Sequence, residues 1–423
     1  MSGIALFEDS YWQSFSPITL TRATFDIKVG AKSFFEEYKN MPEVLLTREY
    51  LAAVTKERHQ QCIVNPSSID DDMVFVNGLL HPGSLFLDHL LAINHTFAIS
   101  SGTRLLVARL ARKGTSHLLD CVAAGKKVDN RKFEVQKSTQ LGTQEAQGLL
   151  SEPWDMIRAL ENSLAMQAAD SGSRDGHAVD AGTKIIGKGR VVVDQDAELE
   201  EGTVLDSRKG GIYIGPQSHV APSRIVGPAY IGGRTQIKQF SIIESSFIGY
   251  NCRVAGEIEH SIISDHTNKA HAGFLGHSYI GEWVNIGAMT TTSDLKMTYG
   301  NIKMKSDGGR KVDTGLNKVG SFFADMSKTS IGTLIYSGRR IGVSSHLHGL
   351  VSEDIPSFTI YGSGIGTKNF ELQLNSAIDT QRKMMSRRDQ KMSKAYEQMI
   401  REVFSVTALE RKRHGVRKGR FSL

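Results

Sequence analysis

Residues 212–290 read IYIGPQSHVAPSRIVGPAYIGGRTQIKQFSIIESSFIGYNCRVAGEIEHSIISDHTNKAHAGFLGHSYIGEWVNIGAMT. Aliphatic residues recur in this stretch at a fixed step. Ile214, Val220 and Val226 are six apart, as are Ile231, Ile237 and Ile243, and Ile248 and Val254. The groups begin 17 residues apart, at Ile214, Ile231 and Ile248, and Ile280 and Ile286 resume the step of six. Gly215, Gly232, Gly249, Gly281 and Gly287 each follow such an anchor. A repeat of this kind outweighs any single motif. Each hexad supplies one short strand and one turn, and three hexads close a triangular coil. The aliphatic anchor points into the prism, and the glycine is expected to permit the turn. No coil buries its anchor alone, so stacked coils form the core. An ordinary β-sandwich, with strands every six to ten residues, does not hold a 17-residue frame.

The remaining composition fits a multi-domain chain. It has 423 residues, 40% of them hydrophobic, with 41 glycines and nine prolines. That length implies two or three domains, and the glycine content suits a turn-rich solenoid. Cys62, Cys121 and Cys252 are scattered. They suggest a reducing compartment and no disulfide frame. There is no apolar run of transmembrane length. The opening MSGIALFEDSYW carries acids and lacks a basic n-region, so a secretion signal is not expected. A cytoplasmic location follows from these points. The net charge of +6 gathers late, in residues 382–420. No aromatics interleave with those charges, which argues for a solvated helix and tail rather than a nucleic-acid surface.

In chain order, residues 1–165 read as an α/β domain. Ile4–Phe7 and Met73–Val76 have strand character, and Ser84–Ile93 and Arg104–Ala111 are strand or helix. Ser151 and Pro153 open a helix whose apolar face is Trp154, Ile157, Leu160 and Leu164. Residues 166–183 are small and polar, the expected linker. Residues 184–366 hold the solenoid, which a polar excursion interrupts at 291–318. Long loops leaving a rigid scaffold usually carry function. Residues 367–410 form a helical segment, and 411–423 a basic tail.

The stretch from His271 to Ala288 resembles the acetyltransferase half of the GlmU-type N-acetylglucosamine-1-phosphate uridylyltransferases. Gly276, Gly281, Val284, Asn285, Ile286, Gly287 and Ala288 fall in register with His271 without a gap. The resemblance implies a left-handed parallel β-helix, and acetyl-CoA as acyl donor. It implies His271 as the general base that takes a proton from a sugar amine. That role needs a neutral imidazole near pH 7. It also places Asn285, Ala288, Asp294, Lys296 and His277 beside the acyl donor or sugar. Three departures alter the sugar-phosphate pocket. Phe274 stands at a family tyrosine, and Asp294-Leu295 at an asparagine-tyrosine pair. A family basic residue falls near Glu257, Glu259 and His260.

A second resemblance runs nearly end to end. Residues 17–22 (PITLTR), 152–155 (EPWD), 293–296 (SDLK), 313–315 (DTG), 328–333 (KTSIGT) and 355–358 (IPSF) look like the divergent GlmU family of sugar nucleotidyltransferases. These join a shortened nucleotidyltransferase-like domain to a left-handed β-helix. Sugar-nucleotide transferases use a glycine loop whose N–H groups approach a triphosphate, with Arg and Lys neutralising it. Counting back from Pro17, that loop becomes Asp9–Ser14, with no glycine and no arginine. An intact divergent enzyme would set Arg22, Lys28, Asn77 and Gly78 on the phosphates and Asp9 or Glu8 on Mg²⁺. Otherwise the domain has lost turnover.

Three functions follow as expectations. The first is a sugar-phosphate transferase, nucleotidylyl and/or acyl, that uses a sugar phosphate and a nucleoside triphosphate and assembles as a homotrimer. The second is a non-catalytic regulatory or scaffold homologue. The third is a zinc hydratase of the γ-carbonic-anhydrase kind, suggested by the spacing of His266 and His271.

Overall fold

The computed structural model describes residues 3–38, 42–69, 72–81, 87–141, 148–170, 182–306 and 309–422. The chain separates into two compact units. One comprises residues 1–27, 32–152 and 393–402, and the other residues 28–31, 153–392 and 403–423. Its helices are α1 (Ala52–Arg58), α2 (Leu87–Leu91), α3 (Arg112–Ala123), α4 (Trp154–Asp170), α5 (Leu374–Ser386), α6 (Lys394–Val406) and α7 (Ala408–Arg413). No helix among the described residues is long and apolar enough to cross a membrane.

The first unit is built on a seven-stranded sheet. Its order is Ile63–Val64, Val44–Leu46, Gly3–Phe7, Met73–Asn77, Arg104–Arg109, Phe97–Ser101 and Lys137–Gln140. The first four strands are parallel, and Arg104–Arg109 runs antiparallel to both its neighbours. Alternation along the strands fills two cores. Ile4, Leu6, Val74 and Val76 lie on one face, and Ala5, Phe7, Met73 and Phe75 on the other. Burial on both faces explains why these strands read as continuous apolar runs. Within 84–93 the described element is α2, and residues 84–86 lie outside the described residues.

The second unit is the three-sided β-helix expected from the hexads. One face stacks Lys184–Ile186, Val204–Asp206, Arg224–Val226, Ile242–Glu244, Glu257–Glu259 and Phe274–Gly276. A second face runs from Val191–Val193 to Arg339–Ile341 in eight parallel strands. The third begins with Glu198–Leu199 and reaches Asn268–Lys269 in five. Tyr213 pairs with Tyr230 and Tyr230 with Phe247, which is the frame of 17. Ile214, Val220, Ile231, Ile237, Ile248, Val254, Ile263 and Ile280 share one buried core. The excursion falls between Tyr279 and its partner Phe322, and contains the hairpin of Lys303–Lys305 with Lys311–Asp313.

The anchor-following glycines do a different job from the one expected. None of Gly215, Gly232, Gly249, Gly281 and Gly287 is among the positive-φ residues. The left-handed corners fall instead on Gln217, Arg234, Asn251, His266 and Trp283. The glycines are bare because coils stack closely. A Cβ on Gly215 would lie 2.7 Å from the Gly233 nitrogen, and one on Gly232 2.6 Å from the Gly249 carbonyl carbon.

Three boundaries shift. Residues 166–170, expected in the linker, continue α4, and 171–181 lie outside the described residues. The C-terminal segment is not one helix but α5, α6 and α7, after the short strand Phe370–Glu371. The basic tail begins inside α7, where Arg411 is buried and its Nε donates to Glu371 Oε2 at 2.8 Å.

The hexad count also lands on a lysine. Lys269 occupies an anchor position and is 1% exposed. Its Nζ donates to the carbonyls of Ala255 (2.7 Å), His271 (3.1 Å) and Gly273 (2.9 Å). Burial pushes this amine down to about 8, while three acceptors favour its charged form. Lys269 thereby ties down the corner that carries His271. Lys269→Met should destabilise the β-helix by about 1–3 kcal/mol, because three carbonyls lose their donor away from water. Hydrogen exchange across residues 255–273 reads the loss, and unchanged protection would refute it.

Candidate functional site

The corner between the first and second faces assembles the densest group of reactive side chains. Ser245, His260 and His277 succeed one another there, all with positive φ. The His260 and His277 rings are stacked, with centroids 4.9 Å apart and planes inclined by 2°. His277 Nδ1 donates to Asp294 Oδ2 at 2.8 Å. Both residues are buried, His277 being 8% and Asp294 7% exposed. The remaining ring nitrogen of His277 has no hydrogen-bond partner among the described residues. His260 Nε2 lies 2.9 Å from Glu161 Oε1 of α4, which also accepts from Ser245 Oγ at 2.9 Å. Burial holds the His260 imidazole below the usual histidine range; Glu161 works the other way, and the His277 ring adds to the lowering. Lys318, from the end of the excursion, pairs with Glu259 at 3.0 Å.

Gly276 makes the pair geometrically feasible. A Cβ there would stand 2.5 Å from Asp294 Oδ2 and overlap the Phe274 ring. The carboxylate therefore crosses the strand where there is no side chain. An imidazole whose Nδ1–H is held by a carboxylate presents a basic nitrogen at the other end. The pair can take a proton from a bound amine or hydroxyl.

Ligand atoms of Glu259, His260 and His277 all lie within 4.8 Å of one another. A cation binds in the plane of an imidazole, and two parallel stacked rings share no such plane. The group does not fit a metal in this arrangement. His266 and His271 do not form a zinc pair within one chain either. His266 stacks on Trp283 with centroids 4.2 Å apart, at the corner between the second and third faces. His271 is at the next corner.

The other expected residues are dispersed. His271 is exposed, and its side chain has no hydrogen-bond partner among the described residues. Ala288 lies in the corner one coil on, where the Met289 N–H donates to Ala272 O at 3.0 Å. Asn285 is on the third face, its Oδ1 accepting from Asn268 Nδ2 at 2.7 Å. Lys296 Nζ donates to Asn301 O within the excursion. The structure therefore joins His277 to Asp294, and places His271 with Ala288 at a separate corner.

In the first unit the expected metal ligand is already neutralised. Asp9 accepts from Arg104 Nε at 2.5 Å, from Asn77 Nδ2 at 2.7 Å and from the Tyr11 N–H at 3.0 Å. The Arg104 guanidinium also lies over the Tyr11 ring at 3.9 Å. Glu8 is taken up by Arg48 through Nε (3.2 Å) and Nη2 (3.1 Å). Neither carboxylate fits Mg²⁺ in this arrangement, since an arginine occupies the place of the cation. Arg22 is 2% exposed, and a Cβ on Gly78 would lie 2.9 Å from Thr24 Oγ1. Among the described residues, neither offers an open phosphate cradle. Lys28 belongs to the second unit, where its Nζ is 3.6 Å from Asp265 Oδ2 and over the Phe247 ring. The sequence reading missed Arg104, Arg48 and Glu161, whose partners are distant along the chain. It also missed the pairing of His277 with Asp294, one coil away.

Residues 4–170 match the sugar nucleotidyl transferase family. A bifunctional sugar-1-phosphate nucleotidylyltransferase/acetyltransferase of Sulfurisphaera tokodaii is 27% identical over 215 residues, which is 49% of this chain and 46% of that protein. The bifunctional protein GlmU of a Cyanothece species is 27% identical over 180 residues, 37% of this chain and 39% of the relative. The chain is similar to GlmU-type bifunctional proteins over part of its length. It spans less than half the length of these curated relatives. Among solved structures, the UDP-N-acetylglucosamine acyltransferase of Campylobacter jejuni aligns with 49% of this chain and 94% of its own, at 11% identity and a TM-score of 0.20. The chain thus has a domain that matches the sugar nucleotidyl transferase family but lacks a glycine loop, followed by a three-sided parallel β-helix.

Proposed function

We propose that this GlmU-like protein is a transferase that moves an acyl group from acyl-CoA to the amine of a sugar phosphate or nucleotide-linked amino sugar. The chemistry belongs to the β-helix. The observation that carries this reading is the buried His277–Asp294 pair, whose second imidazole nitrogen has no hydrogen-bond partner among the described residues. The acceptor nitrogen attacks the thioester carbonyl carbon, and its proton passes to His277. The C–N bond forms, the C–S bond breaks, and the departing thiolate takes the proton from the imidazolium. Asp294 holds the tautomer and offsets the imidazolium charge. A homotrimer and a cytoplasmic location belong to the same proposal. The N-terminal domain binds or supports and does not turn over, because Asp9 and Glu8 are already paired.

A second assignment of the base has its own support. The ungapped register from His271 to Ala288 favours His271. Product mass spectrometry on acetyl-CoA with a panel of amino-sugar phosphates and nucleotide-linked amino sugars separates the two. Transfer by wild type that survives His271→Ala and fails in His277→Gln is the expected result. The reverse pattern assigns the base to His271. Silence of folded wild type across the panel refutes acyl transfer to those acceptors.

A further inference from the structure

A recess lies on the third face, beneath the C-terminal end of α5. It encloses about 230 Å³. That is small for a drug-sized ligand and ample for a phosphate ester. Lys328 rises from the face, Arg387 and Arg388 come from the end of α5, and Asn268 and Asn285 line the floor. Met384 and the stacked His266 and Trp283 complete it. None of the described lining residues is acidic.

The charges there press on one another. Burial disfavours the guanidinium charge of Arg253, the strand neighbour of Asn268, and Arg388 disfavours it further. Burial does the same to Arg388, and Arg387 adds to it. Lys328 is pushed down to about 8 by burial, and its Nζ donates to Met326 O at 2.7 Å. The nearby Asp265 accepts from the Tyr250 N–H at 2.9 Å and pairs with Lys28. His266 Nδ1 is buried without a hydrogen-bond partner among the described residues. Cations at the end of a helix answer its dipole. That accounts for Arg387 and Arg388, but not for the half-buried Lys328 on the β-helix side of the recess.

We propose that this recess binds the phosphoryl group of a phosphorylated small molecule, with Lys328, Arg387 and Arg388 supplying the charge and the two asparagines the floor. Guanidinium and ammonium donors converging around a small volume are the usual means of holding such a group. The site stands on its own charge and geometry. Only the choice among phosphate esters rests on the sugar-phosphate reading above.

Lys328 also predicts how binding depends on pH. It is faced by His346 from the next coil, by His266 from the corner and by Arg387 and Arg388 from α5. His346 is pushed down to about 3, by burial first and then by Lys328 and His348, and burial lowers His266 too. Lys328 is therefore the group that titrates just above neutrality. Its charged form favours the anion, so affinity is full below about pH 8 and falls above it.

Isothermal titration of the full chain tests this, with inorganic phosphate, pyrophosphate, glucosamine 1-phosphate and adenosine 3′,5′-bisphosphate as probes and glucosamine as the uncharged-oxygen control. At least one phosphate-bearing probe should bind where glucosamine does not, and the best one names the ester. Lys328→Gln and Arg388→Gln should each weaken it by about tenfold or more. Lys328→Arg should retain binding and remove the decline above pH 8, and His277→Gln should bind as wild type does. Arg388→Gln carries the test if Lys328→Gln misfolds. Phosphate probes that bind no better than glucosamine, or folded Arg388→Gln binding like wild type, would overturn the proposal. Phosphate binding without any acyl transfer would sink only the preceding reading.

Discussion

Asp294→Asn is expected to lower acyl transfer by about 10²–10⁴-fold, with the loss in kcat and little change in KM. The substitution is isosteric, so Gly276 still leaves room for the side chain to cross. What changes is the proton. A carboxylate only accepts, which fixes the hydrogen on His277 Nδ1 and leaves the other nitrogen as the base. A carboxamide can turn its NH₂ to Nδ1, and the hydrogen then moves to the catalytic nitrogen. The variant also lacks the negative charge that offsets the imidazolium. Nitrogen NMR of His277 separates this from a structural effect, because the tautomer should invert while the amide spectrum of the core stays put. If Asp294→Asn is folded and as active as wild type, His277 is not the base, and His271 inherits the role.

Much of this was legible in the sequence, and the reason is the one-dimensional nature of the prism. A coil that must bury one aliphatic residue per hexad writes its period directly into the chain, so Ile214, Ile231 and Ile248 announce the stack. The same frame carries information about the site that is easily overlooked. His260, His277 and Asp294 are successive positions of one column, and the separation of His277 from its carboxylate is 17 residues. A count of six from Ile263 likewise reaches Lys269, a lysine where an aliphatic anchor belongs. The role of the glycines was not legible, because crowding between coils and freedom of φ select the same residue. Contacts without a frame left no trace either. Asp9 and Arg104 are 95 residues apart, so the acid that looked available for Mg²⁺ could not be seen to be paired. The packing of α5 against the third face is equally non-local. Arg387 and Arg388 therefore read as part of a solvated charge run.

Arg48→Met should destabilise the N-terminal domain by about 3–5 kcal/mol. Glu8 is 2% and Arg48 3% exposed, so water can replace neither partner. Glu8 keeps the Thr24 N–H (2.9 Å), the Arg48 N–H (3.0 Å) and the Thr47 hydroxyl as donors in the variant, but loses the guanidinium that balances its charge. The guanidinium also donates to Thr19 O at 2.6 Å, to Arg22 O at 3.1 Å and to Tyr50 Oη at 2.8 Å, and it covers the Trp12 ring at 4.0 Å. Those contacts fasten residues 10–26, which stand where a phosphate-binding loop would run in a sugar-nucleotide transferase. Hydrogen exchange over residues 3–7 and 73–77 follows this domain separately from the β-helix, which matters because a two-unit chain need not unfold in one step. Glu8→Gln combined with Arg48→Met should recover part of the loss, since the cost lies mainly in leaving one buried charge alone. Exchange as slow as in wild type would mean that backbone and hydroxyl donors suffice for Glu8. The carboxylate would then not depend on arginine, and Arg48 would not stand in for a cation at Glu8.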